Sequence, residues 1–420
     1  MKLIIPWSHI RRVVPRPRNF KPSLYQKQSR CWLSTNPEAK SSKPLRILFC
    51  GSDEFSATSL DALYAEFKSP DSHILSIDVV TLTDKLKGRN YREKYTPYIK
   101  QVAERHGLPL HRINTFDNWQ PPVYNTSFNS EINLVIAVSF GLLIPMRIIN
   151  GSEYGGLNVH PSMLPDLRGA APIQWAILRG LSHTGVSVQT LHPTKFDHGI
   201  VLDQTPYPGV RIPDNIQPQD LTTTLATLGS QMLVRAIRNR LYVPPYVPVS
   251  TSVDQRELTK APKISPQTGM VDFHTMTRAA ILRLNRAIQP FKLIAEATPN
   301  GSIKPVRFKI SEWLRSPTSH DIPLELQDEL LLIPKGVPYT FIDRNTNIRE
   351  CQAPLFINVT PDRLGGPSQL VITDITIPSK SQDAAAKTAA KAELFDEPIK
   401  FGPYLVYRFS HPLSEVAPKS

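Results

Sequence analysis

The run Leu134–Phe140 (LVIAVSF) is apolar at nearly every position and does not alternate with polar residues. A strand with no polar face has to be buried on both sides, as inside a parallel sheet covered by helices. Leu45–Gly51 (LRILFCG) reads as a first buried strand ending in a glycine turn. Helix is expected from about Glu54, with Ser52 or Asp53 able to cap it. Ile74–Leu82 and Leu108–Ile113 read as further strands, and Thr184–Leu191 alternates β-formers. These runs predict an α/β domain with a Rossmann-like, mostly parallel sheet. A single glycine after the first strand is not the GxGxxG fingerprint of a dinucleotide site, so NAD is disfavoured.

The stretch Gly156–Gln174 (GLNVHPSMLPDLRGAAPIQ) stands where such a sheet presents chemistry. Leu157 and Val159 read as a strand end. Pro161, Pro165 and Gly169 break regular structure, and a helix is expected over Ala171–Leu178. Asn158 and His160 lie two apart and so share a face. Ligands of open α/β sheets bind beyond the carboxyl ends of the strands, where both would point. Asn offers an amide donor to an oxyanion, and His a proton donor or acceptor near neutral pH. The pairing suits attack on a carbonyl carbon. An isolated Asn-x-His is equally an ordinary hydrogen-bonded strand end, so the pair alone decides nothing.

The longer run is more specific. Asn-Val-His-Pro-Ser-Met-Leu-Pro, followed by Arg168-Gly169-Ala170-Ala171-Pro172-Ile173-Gln174, resembles the signature of the folate-dependent formyltransferases. Within that family it is most similar to the members acting on methionyl-tRNA. The resemblance runs patchily from about Leu45 to about Leu394. It implies a catalytic trio of Asn158, His160 and an acid in the loop His192–Leu202 (HPTKFDHGIVL), which is Asp197. It implies formyl transfer from 10-formyltetrahydrofolate to the α-amino group of initiator methionyl-tRNA, with no metal. Phe140, Gly141, Leu142 and Pro145 resemble the segment that helps hold the pterin ring, although any strand–helix junction also favours Gly and Pro. Ser162, Met163, Leu164 and Pro165, within the signature, are assigned to folate contact as well. Around the glycine after Asp197, relatives usually carry a small hydroxyl residue and a second acid; here His198 and Ile200 stand there, while Asp197 and Gly199 remain.

The net charge of +13 is unevenly spread. Eight basic residues and no acid precede Glu38, which leaves +5 for the rest. Residues 1–42 have the composition of a mitochondrial transit peptide, with cleavage expected between Arg30 and Asn36 and a matrix location; a disordered basic tail is the alternative. Thr83–Lys100 is Gly-interrupted and basic. Composition alone makes it a solvated loop running into a helix. The resemblance implies that it reaches the tRNA acceptor end through Lys87, Arg89 and Arg92.

Leu221–Leu241 has helical spacing and closes a catalytic domain of residues 43–243. A proline-rich linker, residues 244–259, includes most of the run YVPPYVP. In the second domain, residues 260–420, a helix is expected over Thr275–Gln289, with Ile281, Leu284 and Ile288 on one face and Arg283 and Arg286 opposite. Short β-like runs at Val306–Ile310, Glu329–Ile333, Leu355–Val359 and Leu370–Ile377 suggest a small barrel, OB-like by the resemblance. The resemblance also places an aromatic after Asn-Pro, which here reads Gln289-Pro290-Phe291. Arg256–Arg315 holds eleven basic residues against four acids. That is a solvated face or one that tracks phosphates, the latter through Lys263, Arg283 and Lys304. Ser379–Lys391 reads as a loop or frayed helix.

Cys31, Cys50 and Cys351 show no metal or disulfide spacing, which fits a reducing compartment. No apolar run approaches membrane-spanning length. A monomer is expected. Other formyltransferases, a formyltetrahydrofolate hydrolase and a non-catalytic RNA-binding relative are the alternatives. The second basic domain argues against an enzyme of small amines, and an intact trio against loss of catalysis.

Overall fold

The first element among the described residues is β1 (Leu45–Gly51), buried at every position. Then come α1 (Glu54–Phe67), β2 (Ile74–Leu82), a hairpin of β3 (Lys85–Lys87) and β4 (Glu93–Tyr95), α2 (Tyr98–Arg105) and β5 (Leu110–Ile113). The next stretch supplies β6 (Leu134–Val138), α3 (Met146–Gly151), β7 (Gly156–His160), α4 (Pro172–Leu178), β8 (His183–Thr184), β9 (Ser187–Thr190), β10 (Val201–Gln204) and β11 (Val210–Arg211). The long α5 (Pro218–Arg238) follows. This is a computed structural model that describes residues 40–409, apart from 88–92, 125–129, 251–257, 290–291, 298–305, 311–313, 316, 319–320, 346, 349–352, 362–367, 377–382, 385–387, 390–393 and 402. The expected leader up to residue 39, Arg89, Arg92, Lys304, Cys31, Cys351, the Gln289-Pro290-Phe291 motif beyond its Gln, and most of Ser379–Lys391 lie outside the described residues.

Seven strands form one sheet in the order β10-β9-β7-β6-β1-β2-β5. All pairings from β5 to β7 are parallel, while β9 runs antiparallel to both β7 and β10. The parallel part has apolar side chains on both faces. Ile47, Phe49, Leu134 and Ile136 join one core with α1 and α5, whereas Leu48, Cys50 and Val135 join a second core with Phe140, Ile144 and Ile148. Uninterrupted apolar strands are what that double burial requires. The Asp53 side chain caps α1 by accepting the Ser56 N–H at 2.9 Å.

The run Tyr242–Pro248, expected as an extended stretch entering the linker of residues 244–259, lies along this body. Tyr242 is fully buried, Tyr246 packs against the same core, and the Val249 N–H donates to the Val201 carbonyl at 2.9 Å.

Beyond it lie α6 (Arg278–Ala287), β12 (Leu293–Ala297), β13 (Val306–Ile310), β14 (Leu314–Arg315), α7 (Gln327–Leu331), β15 (Pro338–Asp343), β16 (Leu355–Asn358), β17 (Gln369–Ile372), β18 (Asp374–Thr376), β19 (Asp383–Ala384), β20 (Ile399–Phe401) and β21 (Tyr404–Arg408). Among the described residues these strands form two antiparallel sheets, β12-β13-β18-β19 and β14-β17-β16-β15-β21-β20, and no closed barrel. The strand expected at Glu329–Ile333 is instead the end of α7 and its exit. Asp328 and Glu329 suit a helix's first turn, and only Leu330 is buried there, Leu331 and Leu332 being exposed. No described helix is long and apolar enough to cross a membrane.

Candidate active site

β7 sends Leu157 and Val159 into the main core and turns Asn158 and His160 to the other face. The loop after β7 is folded onto itself and onto β9. Ser162 Oγ donates to the Asp166 carbonyl at 2.7 Å, Ser187 Oγ donates to the Ser162 carbonyl at 2.7 Å, and the Leu164 N–H donates to Ser187 Oγ at 3.0 Å.

Because β9 is antiparallel to β7, the chain leaving it starts from the wrong end of the site and has to return across the sheet. Gly199 makes this return possible. Its Cα lies so close to the Thr190 carbonyl that a Cβ would sit 1.7 Å from the oxygen. The Gly199 N–H donates to Gln189 Oε1 at 3.0 Å, and Asp197 adopts φ of 56°.

Asp197 thereby lands over β7. Its Oδ1 accepts from Asn158 Nδ2 at 3.1 Å and from Gln189 Nε2 at 3.3 Å, and lies 3.3 Å from His160 Nδ1. Its Oδ2 accepts the Gly169 N–H at 3.0 Å, and Arg168 Nε donates to its backbone carbonyl at 2.7 Å. His160 Nε2 donates to the Leu167 carbonyl at 3.0 Å. Nε2 is thus committed to a backbone carbonyl, and Nδ1 is left beside the Asp197 carboxylate. The two side chains are 6% and 9% exposed, so water screens the pair poorly.

Asn158, His160 and Asp197 lie on one wall of a cleft of about 460 Å³ at the carboxyl ends of β1, β6 and β7. Phe140, Leu142, Ile144, Ile149 and Leu191 make its apolar wall, and Asp53, Ser139, His192 and Lys195 its polar rim. Desolvation raises the Asp53 carboxyl above its ordinary range, against hydrogen bonds from Ser56 and Ser139 that lower it. Burial pushes the Cys50 thiol up. No group of three or more His, Cys, Asp or Glu among the described residues could hold a metal ion.

Of the residues assigned to folate contact, Phe140, Gly141 and Leu142 line the cleft. Pro145, Ser162, Met163, Leu164 and Pro165 do not: Pro145 caps α3, and Leu164 is buried in the loop after β7. Of the basic residues, Lys87 closes β3 opposite Glu93, and Lys263 is exposed. Arg283 is half-buried with its guanidinium against Gly180, where an added Cβ would lie 3.0 Å from its Cζ. Sequence reasoning passed over Gln189, Arg168, Asp53 and the Leu167 carbonyl. Gln189 carried no distinctive signal, since β9 reads Ser-Val-Gln-Thr with a polar residue at three of its four positions, and a backbone carbonyl carries none.

The family profile described as formyl transferase matches residues 45–237, which include the whole seven-stranded sheet and the trio. The methionyl-tRNA formyltransferase of Ehrlichia ruminantium (strain Gardel) is 33% identical, over 59% of this chain and 75% of its own length. The chain belongs to the formyltransferase family. The resemblance read from Asn158–Gln174 thus holds at family level. Two mitochondrial methionyl-tRNA formyltransferases are also similar to this chain. That of Saccharomyces cerevisiae is 35% identical over 51% of this chain and 61% of its own length, and that of Homo sapiens 32% over 58% and 57%. The chain thus spans less than two thirds of the length of these two relatives.

Proposed function

We propose that this formyltransferase moves the formyl group of 10-formyltetrahydrofolate to the α-amino group of initiator methionyl-tRNA, for translation initiation in the mitochondrial matrix. The observation that carries the reading is the convergence of Asn158, His160 and Asp197 in a cleft with an apolar wall. The cleft fits a folate: Phe140, Gly141 and Leu142 offer a flat, mostly apolar surface to a pterin beside few polar groups. Relatives named for methionyl-tRNA, two of them mitochondrial, support the acceptor and the compartment.

In this reaction the amine nitrogen bonds to the formyl carbon, the bond from that carbon to the folate nitrogen breaks, and the amine's proton ends on the folate nitrogen. Asn158 Nδ2 spends one hydrogen on Asp197 and has a second for the formyl oxygen as it gains charge. With Nε2 tied to the Leu167 carbonyl, His160 Nδ1 is the ring atom that takes the amine's proton and, through an ordered water, returns it to the folate nitrogen, while Asp197, 3.3 Å away, orients the ring. The tRNA is gripped by residues 260–420 as an OB-like module, with Lys263 and Lys304 on phosphates. Lys87, Arg89 and Arg92 hold its acceptor end. The packing of Arg283 against Gly180 fits a role in docking the two regions better than one on RNA. The enzyme acts as a monomer, after loss of the leader.

Transfer of labelled formyl from the folate to charged initiator tRNA, with elongator tRNA as control, tests the reading. A pure chain that binds RNA and never transfers formyl sinks it. Arg89→Ala should raise KM for charged tRNA and leave folate affinity unchanged; the reverse pattern removes the 83–100 stretch from the RNA site.

A further inference from the structure

The loop that holds the trio is itself held by the segment that leads into the C-terminal region. The Leu167 N–H donates to the Thr259 carbonyl at 2.9 Å, the Ala261 N–H to the Arg168 carbonyl at 2.7 Å, and the Ala171 N–H to the Ala261 carbonyl at 3.1 Å. Residues 168 and 260 pair as in a parallel sheet. Gly169 adopts φ of 130°, and a Cβ on it would lie 2.4 Å from the Ala261 carbonyl oxygen, so the two backbones touch. Ala261 is fully buried in the main core.

A polar knot fixes the register. Asp166 Oδ1 accepts the Thr259 N–H at 2.8 Å and the Thr259 hydroxyl at 3.1 Å. Arg179 Nη1 donates to Asp166 Oδ2 at 3.0 Å and to Thr259 Oγ1 at 2.7 Å. Asp166 and Arg179 have side chains 15% and 26% exposed, so the knot is poorly screened.

The clamped residues are the ones that set the trio. Leu167 supplies the carbonyl that takes the His160 Nε2 hydrogen, Arg168 holds the Asp197 backbone, and the Gly169 N–H holds its carboxylate. We infer that residues 259–261 are a strap that positions His160 and Asp197, with Thr259 and Asp166 as its positioning residues. None of them lines the cleft, so they act through the loop 167–169. The segment that leads into the part of the chain that grips the tRNA is thus tied to the scaffold of the reaction site. In this the inference rests on the reading proposed above.

The test uses the full chain with Thr259→Val, Thr259→Ser and Asp166→Asn. Thr259→Val removes the hydroxyl that joins Asp166 to Arg179, and should lower kcat by about ten- to a hundred-fold, the size of effect a small misplacement of catalytic groups produces. KM for the folate and for charged tRNA should stay at the parent values. Thr259→Ser should restore kcat, and Asp166→Asn should fall between. The His160 ring signals, followed by NMR with labelled histidine, should move in Thr259→Val and return in Thr259→Ser.

An unchanged kcat and unchanged His160 signals in Thr259→Val would overturn the strap. So would a loss confined to KM, or one that Thr259→Ser fails to rescue. If the parent transfers no formyl, the proposed function fails by itself. The His160 signals then decide the strap, a shift in Thr259→Val supporting it and no shift overturning it.

Discussion

Two loops meet at the site and are built in opposite ways. The loop after β7, residues 161–171, is enclosed: Leu164 and Leu167 are almost fully buried, its Leu164 N–H and Ser162 carbonyl bond to the Ser187 hydroxyl of β9, and a second segment is stitched along it. The loop between β9 and β10, residues 191–200, is pinned at its base by Gln189 and Thr190, yet Phe196 is 56% exposed and Ile200 42%. Asp197 belongs to the second loop but takes three of its bonds from Arg168, Gly169 and Gln189. The open loop therefore lends the acid, while its neighbours hold the geometry. The division leaves Phe196 and Lys195 lining the cleft outside the contacts that hold the trio.

The largest effect expected from this division is catalytic. His160→Ala should lower kcat by ~10²–10⁴-fold, as loss of general acid–base help does. It should also cost about 1–3 kcal/mol in stability, because the Leu167 carbonyl, in a buried loop, loses its donor. Steady-state kinetics beside a denaturant titration checks both, and near-parent kcat in a folded variant removes His160 from the chemistry.

Next comes the enclosed loop. Leu164→Ala should destabilise the fold by about 2–5 kcal/mol, the range for a buried leucine whose site cannot fully collapse. Phe196→Ala, on the open loop, should change stability by no more than about 0.5 kcal/mol while raising KM for a substrate. Equal destabilisation of the two variants, measured by urea unfolding, would erase the contrast between the loops.

The smallest effect lies on the opposite wall. Asp53 is an exposed residue, yet its carboxyl, crowded at the cleft, is raised above its ordinary value of 3.8, chiefly by desolvation, so its charged form is disfavoured in the folded state. That penalty is complete above the raised pKa, fades as pH falls, and is gone below 3.8, where both folded and unfolded forms hold the proton. Asp53→Asn keeps an oxygen for the Ser56 N–H. It should therefore raise Tm slightly at neutral pH, with the gain vanishing in acid. A lower Tm at neutral pH would show that the charge at the head of α1 outweighs its desolvation.

The same contrast explains what could be read from the chain and what could not. Leu134–Phe140 announced a doubly buried strand because burial on both faces leaves no polar position, and β6 is that strand. Asn158 and His160 were legible through the two-residue period of a strand and the breakers after it. Asp197 came only from the resemblance, since its approach depends on the antiparallel turn of β9 and on Gly199. Thr259 was read as the end of a linker, because a contact across ninety residues and through backbone carbonyls leaves no local pattern. The C-terminal strands were the hardest to place. They are short, and in Glu329–Ile333 an apolar run proved to be a helix end with Leu331 and Leu332 exposed. The Pro338–Asp343 and Tyr404–Arg408 strands went unread, although they pair with each other.

Ser42 Oγ lies 3.0 Å from His73 Nε2 and 2.8 Å from the Tyr242 hydroxyl, and the Lys43 N–H donates to the Tyr154 hydroxyl at 2.8 Å. Three residues on begins β1, gripped by β2 on one side and β6 on the other. A pull on the chain ahead of Ser42 would first load this latch and then drag β1 lengthwise between its two neighbours, setting both rows of hydrogen bonds in shear together. The folded body therefore resists being unravelled from this end. A chain threaded through a membrane by that end has to pass before β1 has found β6.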